Sequence, residues 1–251
     1  MLIERRELLA LAVAALGAPN AVARVPAATR LRAVAFDGLV VFDVRRAQAL
    51  AESAFPGRGA ELANAWRQRQ FDYQWLRASG ERYADFLTVT SDSLTFAARS
   101  LGLTVAPELR AALLDVYREP AAWPDAKAAL LALKGMGLKL ALLSNMTPGM
   151  LSAGVERAEL HGVFDRVLST DEVRSYKPAP RAYALGTRAL RLPREAILFV
   201  ASAGWDVAGA KWFRYPTYWV NRGGAEPEVL DAAPDGAGRG MDDLVSFVRE
   251  R

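Results

Sequence analysis

Leu31-Arg32-Ala33-Val34-Ala35-Phe36-Asp37 is the stretch on which the fold of this chain turns. An apolar run with a β-branched and an aromatic residue reads as a short buried strand. It ends on a carboxylate, and Gly38 then lets the backbone turn. Open parallel sheets bind ligands outside the carboxyl ends of their strands. Asp37 would therefore stand at the mouth of a site, ionised at neutral pH, as a nucleophile or a metal ligand. The plainer alternative is an Asp that caps a helix or a turn.

What surrounds this stretch narrows the choice. The chain has 251 residues, 52% hydrophobic and 24% charged, enough for one large domain or two moderate ones and too apolar for wholesale disorder. The net charge of +4 is mild and scattered, with no basic run interleaved with aromatics. Nucleic acid is therefore not an expected partner, whereas a small anionic substrate is compatible. Cysteine is absent, which excludes disulfides, thiolate metal sites and a Cys nucleophile. The single histidine, His161, excludes a two-His zinc site and is expected on the surface near a helix end. No G-x-S-x-G elbow accompanies it.

Residues 1–29 differ from the rest. Glu4-Arg5-Arg6-Glu7 opens an apolar run through Leu16, and Ala21-Val22-Ala23 gives a small-residue exit. That layout is an export signal, and the paired arginines resemble the twin-arginine kind, which makes the periplasm the expected location. A helix at the N-terminus of a cytoplasmic protein is the alternative. The run is too short to span a bilayer, and no later stretch is long enough either.

After Phe42-Asp43-Val44 the chain becomes helical for about four segments: Arg46 to Phe55, Glu61 to Leu76, Arg82 to Leu101, and Pro107 to about Tyr117. Apolar residues recur there at three and four positions, as along Tyr83, Phe86, Leu87, Thr90, Leu94 and Ala97. With no strand among them, residues 44–123 read as an inserted helical bundle. Helices and strands then alternate. Asp125 to Met136, Pro148 to Ala158, Pro180 to Leu190, Val207 to Phe213 and Met241 to Arg249 are expected helices. Leu138 to Leu143, Phe164 to Leu168, Ile197 to Val200 and Thr217 to Val220 are expected strands, and residues 223–240 an expected loop. The expected fold is α/β. Residues 30–43 and 124–251 form a Rossmann-like parallel sheet with helices on both faces, and 44–123 form a helical cap.

The strand ends are polar in order: Asp37, then Ser144-Asn145, then Lys177, then Trp205-Asp206. This series resembles the haloacid dehalogenase superfamily. Its phosphatases carry a second Asp two residues after the first, as general acid for a leaving alcohol. Here Leu39 stands there. Only Asp206 is added on the fourth loop, few carboxylates to hold magnesium against phosphate. A halide leaves without a proton, so its displacement requires neither acid nor metal.

The insertion sharpens the likeness. Phe55-Pro56-Gly57-Arg58-Gly59, Trp66-Arg67-Gln68, Tyr73-Gln74-Trp75-Leu76-Arg77 and Arg82-Tyr83-Ala84-Asp85-Phe86 are similar to the L-2-haloacid dehalogenases, type II. So are Ser175-Tyr176-Lys177-Pro178, Gly204-Trp205-Asp206 and Trp219-Val220-Asn221-Arg222. The resemblance runs from about Leu31 to Val248. It implies hydrolysis of short 2-haloalkanoic acids through an ester on Asp37, without cofactor or metal. Arg67 would receive the halide, with Asn145 and Phe86 nearby, and Ser144 would bind the substrate carboxylate. Lys177 would hold Asp37 ionised and offset developing charge. Tyr183 and Asp206 would support the site, Tyr183 as one of the substrate-binding residues, with Trp205, Leu39 and Phe71 lining the substrate pocket. A homodimer is a further expectation, since family members commonly pair.

Three features depart from the family. The turn Gly38-Leu39-Val40-Val41 is one residue shorter than usual and lacks a Thr. Ala201 and Ala203 replace polar residues that would hold the hydrolytic water, which needs two to four partners. Ester formation could then survive while its hydrolysis slows, unless Ser202 or a backbone carbonyl substitutes. Three rivals stay open: another C2-directed hydrolase of a small carboxylate, a binding protein that has lost turnover, and a magnesium-dependent phosphatase.

Overall fold

The computed structural model describes residues 30–251. The signal-like segment, residues 1–29, lies outside them. Strand β1 (Ala33–Phe36) is fully buried and pairs in parallel on both sides. Its side chains alternate between two cores. Val34 and Phe36 join Leu140, Leu142 and Leu198, while Ala33 and Ala35 join Leu143, Tyr183 and Phe199. Small alanines on the second face leave room for the rings of Tyr183 and Phe199, which meet edge to face at 5.4 Å. Each fully buried Val, Leu or Phe here contributes roughly 1.5–3 kcal/mol.

The chain turns directly after β1 into a short helix, α1 (Gly38–Val41), where an open turn was expected. It then forms β2 (Phe42–Asp43) and enters the helices α2 (Arg46–Ala54), α3 (Gly59–Ser79), α4 (Phe86–Ser100) and α5 (Pro107–Arg118). It returns through β3 (Ala121–Ala122), antiparallel to β2, so a two-stranded ribbon joins the insertion to the sheet. Within the insertion Trp66 is buried, donates from Nε1 to the Thr90 carbonyl at 2.8 Å, and packs on Tyr117. Helix α4 starts at Phe86, four residues later than expected, because the Asp85 side chain accepts from the Thr88 backbone N–H at 2.9 Å and caps it.

The remaining elements are α6 (Ala126–Gly135), β4 (Lys139–Ser144), α7 (Pro148–Arg157), β5 (Arg166–Ser169), α8 (Pro180–Leu190), β6 (Ile197–Ala201), α9 (Gly204–Trp212), β7 (Thr217–Val220), β8 (Gly236–Gly238) and α10 (Met241–Arg249). The sheet order is β5-β4-β1-β6-β7-β8, parallel throughout. Helices α6, α7 and α10 cover one face; α8 and α9 cover the other. The chain builds outward from β1 through β4 to β5, then crosses back to β6 on the other side. That reversal makes the end of β1 the switch point, where such sheets bind ligands. Strand β8 lies inside the segment expected to be loop. Its Gly-Ala-Gly has no strand signature; a Cβ on Gly236 would fall 2.4 Å from the Phe247 ring, so the glycines admit α10. No described helix is long and apolar enough to cross a membrane. His161 is exposed, as expected.

Candidate active site

Asp37 leaves the end of β1 and caps α1: its Oδ2 accepts the Leu39 backbone N–H at 3.2 Å. The capping reading of this residue holds, and the cap itself orients the carboxylate. Gly38 is required by a close approach, because a Cβ there would lie 2.6 Å from Ser144 Oγ. Beneath Asp37 lies Lys177, fully buried in the loop after β5. Its Nζ donates to Asp37 Oδ1 at 3.0 Å and to Asp206 Oδ2 at 2.6 Å. Asp206 comes from the first turn of α9, is 1% exposed, and accepts from the Tyr183 hydroxyl at 2.6 Å on Oδ1. Ser202, between β6 and α9, donates from Oγ to Asp37 Oδ2 at 2.7 Å.

One ammonium thus serves two carboxylates. Burial alone would pull the Lys177 amine down, but Asp206 and Asp37 outweigh it and hold the ammonium above its ordinary range. Burial pushes Asp206 up to about 6; Lys177 and the Tyr183 hydrogen bond oppose this, while the charge on Asp37 adds to it. A carboxylate poised there suits a general base near neutrality. Any step that needs ionised Asp206 is expected to slow as pH falls through about 6, read from the acid limb of kcat, and Asp206→Asn should remove that limb along with the step. The linkage runs the other way for stability. Because the folded value lies above the ordinary 3.8, this group favours the fold below that pH and loses its contribution as pH rises through about 6.

Asp37 opens into a crevice of about 530 Å³ between sheet and insertion. Leu39, Ser144, Asn145 and Trp205 line it from the sheet side; Arg67, Phe71, Gln74 and Phe86 line it from the insertion. Ser144 is buried, and its Oγ accepts the Met146 backbone N–H at 3.1 Å. Phe71, Trp75 and Trp205 meet ring to ring with centroids 5.4–5.9 Å apart, bridging helix α3 and the start of α9. Arg67 faces the same crevice as Asp37 but remains exposed, donating to Asn64 on its own helix at 3.2 Å. At the outer end, the guanidinium groups of Arg45 and Arg222 both sit over the Trp123 ring, 4.2 Å from its centroid.

One expectation needs correction. Tyr183 is not a substrate contact: it is fully buried, lies behind Asp206 and is absent from the crevice wall. Leu39 contributes its backbone N–H to Asp37 as well as an apolar wall. Sequence reasoning also missed Gln74. Its Oε1 accepts from Asn145 Nδ2 at 2.8 Å, while Asn145 Oδ1 accepts the Lys177 backbone N–H at 2.9 Å. Gln70 and Gln74 are polar residues at buried positions of α3, a mismatch with its helical pattern that marks both. Asn145 is therefore held on both sides, its amide nitrogen turned toward the insertion.

Comparison with known proteins places this geometry. A model described as haloacid dehalogenase-like hydrolase matches residues 25–214. The (S)-2-haloacid dehalogenase of Pseudomonas sp. (strain YL) is 43% identical over 206 residues, 82% of this chain and 89% of that protein. Haloacetate dehalogenase H-2 of Moraxella sp. (strain B) is 35% identical, covering 87% and 98%. Among solved structures, an L-2-haloacid dehalogenase superposes with a TM-score of 0.85 at 46% identity, over 88% of this chain and all of that one. The Xanthobacter autotrophicus enzyme, solved with chloropropionic acid covalently bound, gives 0.79 at 36% identity, over 87% and 98%.

Proposed function

The chain belongs to the haloacid dehalogenase-like hydrolases, and from that premise we propose that it hydrolyses (S)-2-haloalkanoic acids of short chain to 2-hydroxy acids and halide. One observation carries the reading. Asp37 ends the central strand, is held by a fully buried ammonium, and opens into a crevice whose far wall carries an arginine. An anionic nucleophile that must attack an anionic substrate needs compensating cations, and Lys177 and Arg67 supply them. In this scheme Asp37 attacks C2, the carbon–halogen bond breaks, and the halide leaves with the bonding pair toward Arg67, Asn145 and Phe86. Ser144 receives the substrate carboxylate, and Trp205, Phe71 and Leu39 pack around the short alkyl chain. Asp206 then takes a proton from the water that opens the ester.

The test is chloride release from L-2-chloropropionate. Continuous release that persists in a chelator supports the reading. Release that requires magnesium, or hydrolysis of phosphate esters in its place, would contradict it. Release that stops at one chloride per protein would mark a chain arrested at the ester, the outcome Ala201 and Ala203 raise. The proposal extends to a homodimer, read by sedimentation, and to export directed by Arg5-Arg6. A protein with both arginines changed to lysine that still reached the periplasm would contradict the export pathway.

A further inference from the structure

The two oxygens of Asp37 are held differently. Oδ1 accepts one donor, the Lys177 ammonium at 3.0 Å. Oδ2 accepts two, the Leu39 backbone N–H at 3.2 Å and the Ser202 hydroxyl at 2.7 Å. Two neutral donors that converge on one oxygen are placed to take up negative charge as it develops there, as an oxyanion hole does. We infer that Oδ1 is the attacking atom, and that Leu39 N–H with Ser202 Oγ–H forms the oxyanion hole for hydrolysis of the ester.

The inference rests on the dehalogenase reading and assigns the second half of that reaction. After attack, Oδ1 bridges Asp37 to C2 and Oδ2 is the ester carbonyl. Water adds to Cγ, giving one proton to Asp206, and the carbonyl pair moves onto Oδ2. The two donors already face that oxygen before charge develops on it, so little reorganisation is required. The Cγ–Oδ1 bond then breaks. The departing alkoxide takes the proton from Asp206 and leaves as the 2-hydroxy acid, while the second proton of water passes from the regenerated carboxyl to solvent. Ser202 is thereby a catalytic residue of this chain, and it supplies a hydroxyl on a loop whose flanking residues, Ala201 and Ala203, have none.

Ser202→Ala separates the two halves. Loss of one oxyanion-hole donor typically lowers turnover about a hundredfold or more. The variant is therefore expected to release its first equivalent of chloride as fast as the parent protein, then to turn over on the order of a hundredfold more slowly. The ester should accumulate on the Asp37 peptide, visible by mass spectrometry after acid quench. Ser202→Thr, which keeps the hydroxyl, should restore most of the turnover. Unchanged steady-state turnover in Ser202→Ala would overturn the assignment. So would a first equivalent slowed in the same proportion as turnover, which would reduce Ser202 to a positioning residue for the nucleophile. A parent protein that releases no halide would instead overturn the dehalogenase reading, so the two failures are distinct.

Discussion

Asp37→Asn is expected to release no chloride from L-2-chloropropionate above the uncatalysed background, a loss of roughly 10⁴-fold or more, as for removal of other covalent nucleophiles. The amide is nearly isosteric, and its oxygen can still accept from Leu39 N–H, so the cap on α1 survives. Lys177 keeps Asp206 as a partner at 2.6 Å. The variant should therefore fold and melt close to the parent protein while losing the chemistry. Residual activity of several per cent in a protein free of deamidated Asp37 would place the nucleophile elsewhere.

Lys177→Met is expected to damage both folding and turnover. It leaves Asp37 and Asp206 buried without the ammonium that serves both. Removing one partner from a buried ion pair costs about 3–5 kcal/mol, a large share of the ~5–15 kcal/mol that holds a typical domain together. Chemical denaturation should show a strongly lowered midpoint and chloride assays essentially no release. Adding Asp206→Asn removes one of the two stranded charges and should recover part of the midpoint but none of the activity. A Lys177→Met protein with an unchanged midpoint would contradict the three-residue charge arrangement.

Local pattern carried much of the architecture. Helix α8 and helix α10 begin and end where periodicity and their flanking Pro and Gly place them, and β1 is the buried strand its composition implies. The order of polar strand ends also brought Asp37, Ser144, Lys177 and Asp206 to one edge, because the strands are parallel and in register. What escaped was decided by tertiary contact. Strand β8 exists because Gly236 and Gly238 leave space for Phe247 and Asp243, a fact about packing and not propensity. Tyr183 reads equally well as pocket wall or as support; only its hydrogen bond to Asp206, 23 residues away, distinguishes them. Ser202 was legible as a hydroxyl near the site, but the sequence carries no information on whether it faces a water or the nucleophile. The position of Arg67 on the crevice wall was legible, while the exposure of its guanidinium was not.

The covalent bond between Asp37 and substrate is the step on which all of this chemistry depends. A single turnover in ¹⁸O-water, with protein in excess over L-2-chloropropionate, reads it. Attack by Asp37 delivers a protein oxygen to the first product, so the 2-hydroxy acid should carry no label and the Asp37 carboxylate should gain it. Label in the first-formed hydroxy acid, with none in the Asp37 peptide, would show that water displaces the halide directly and would contradict the mechanism.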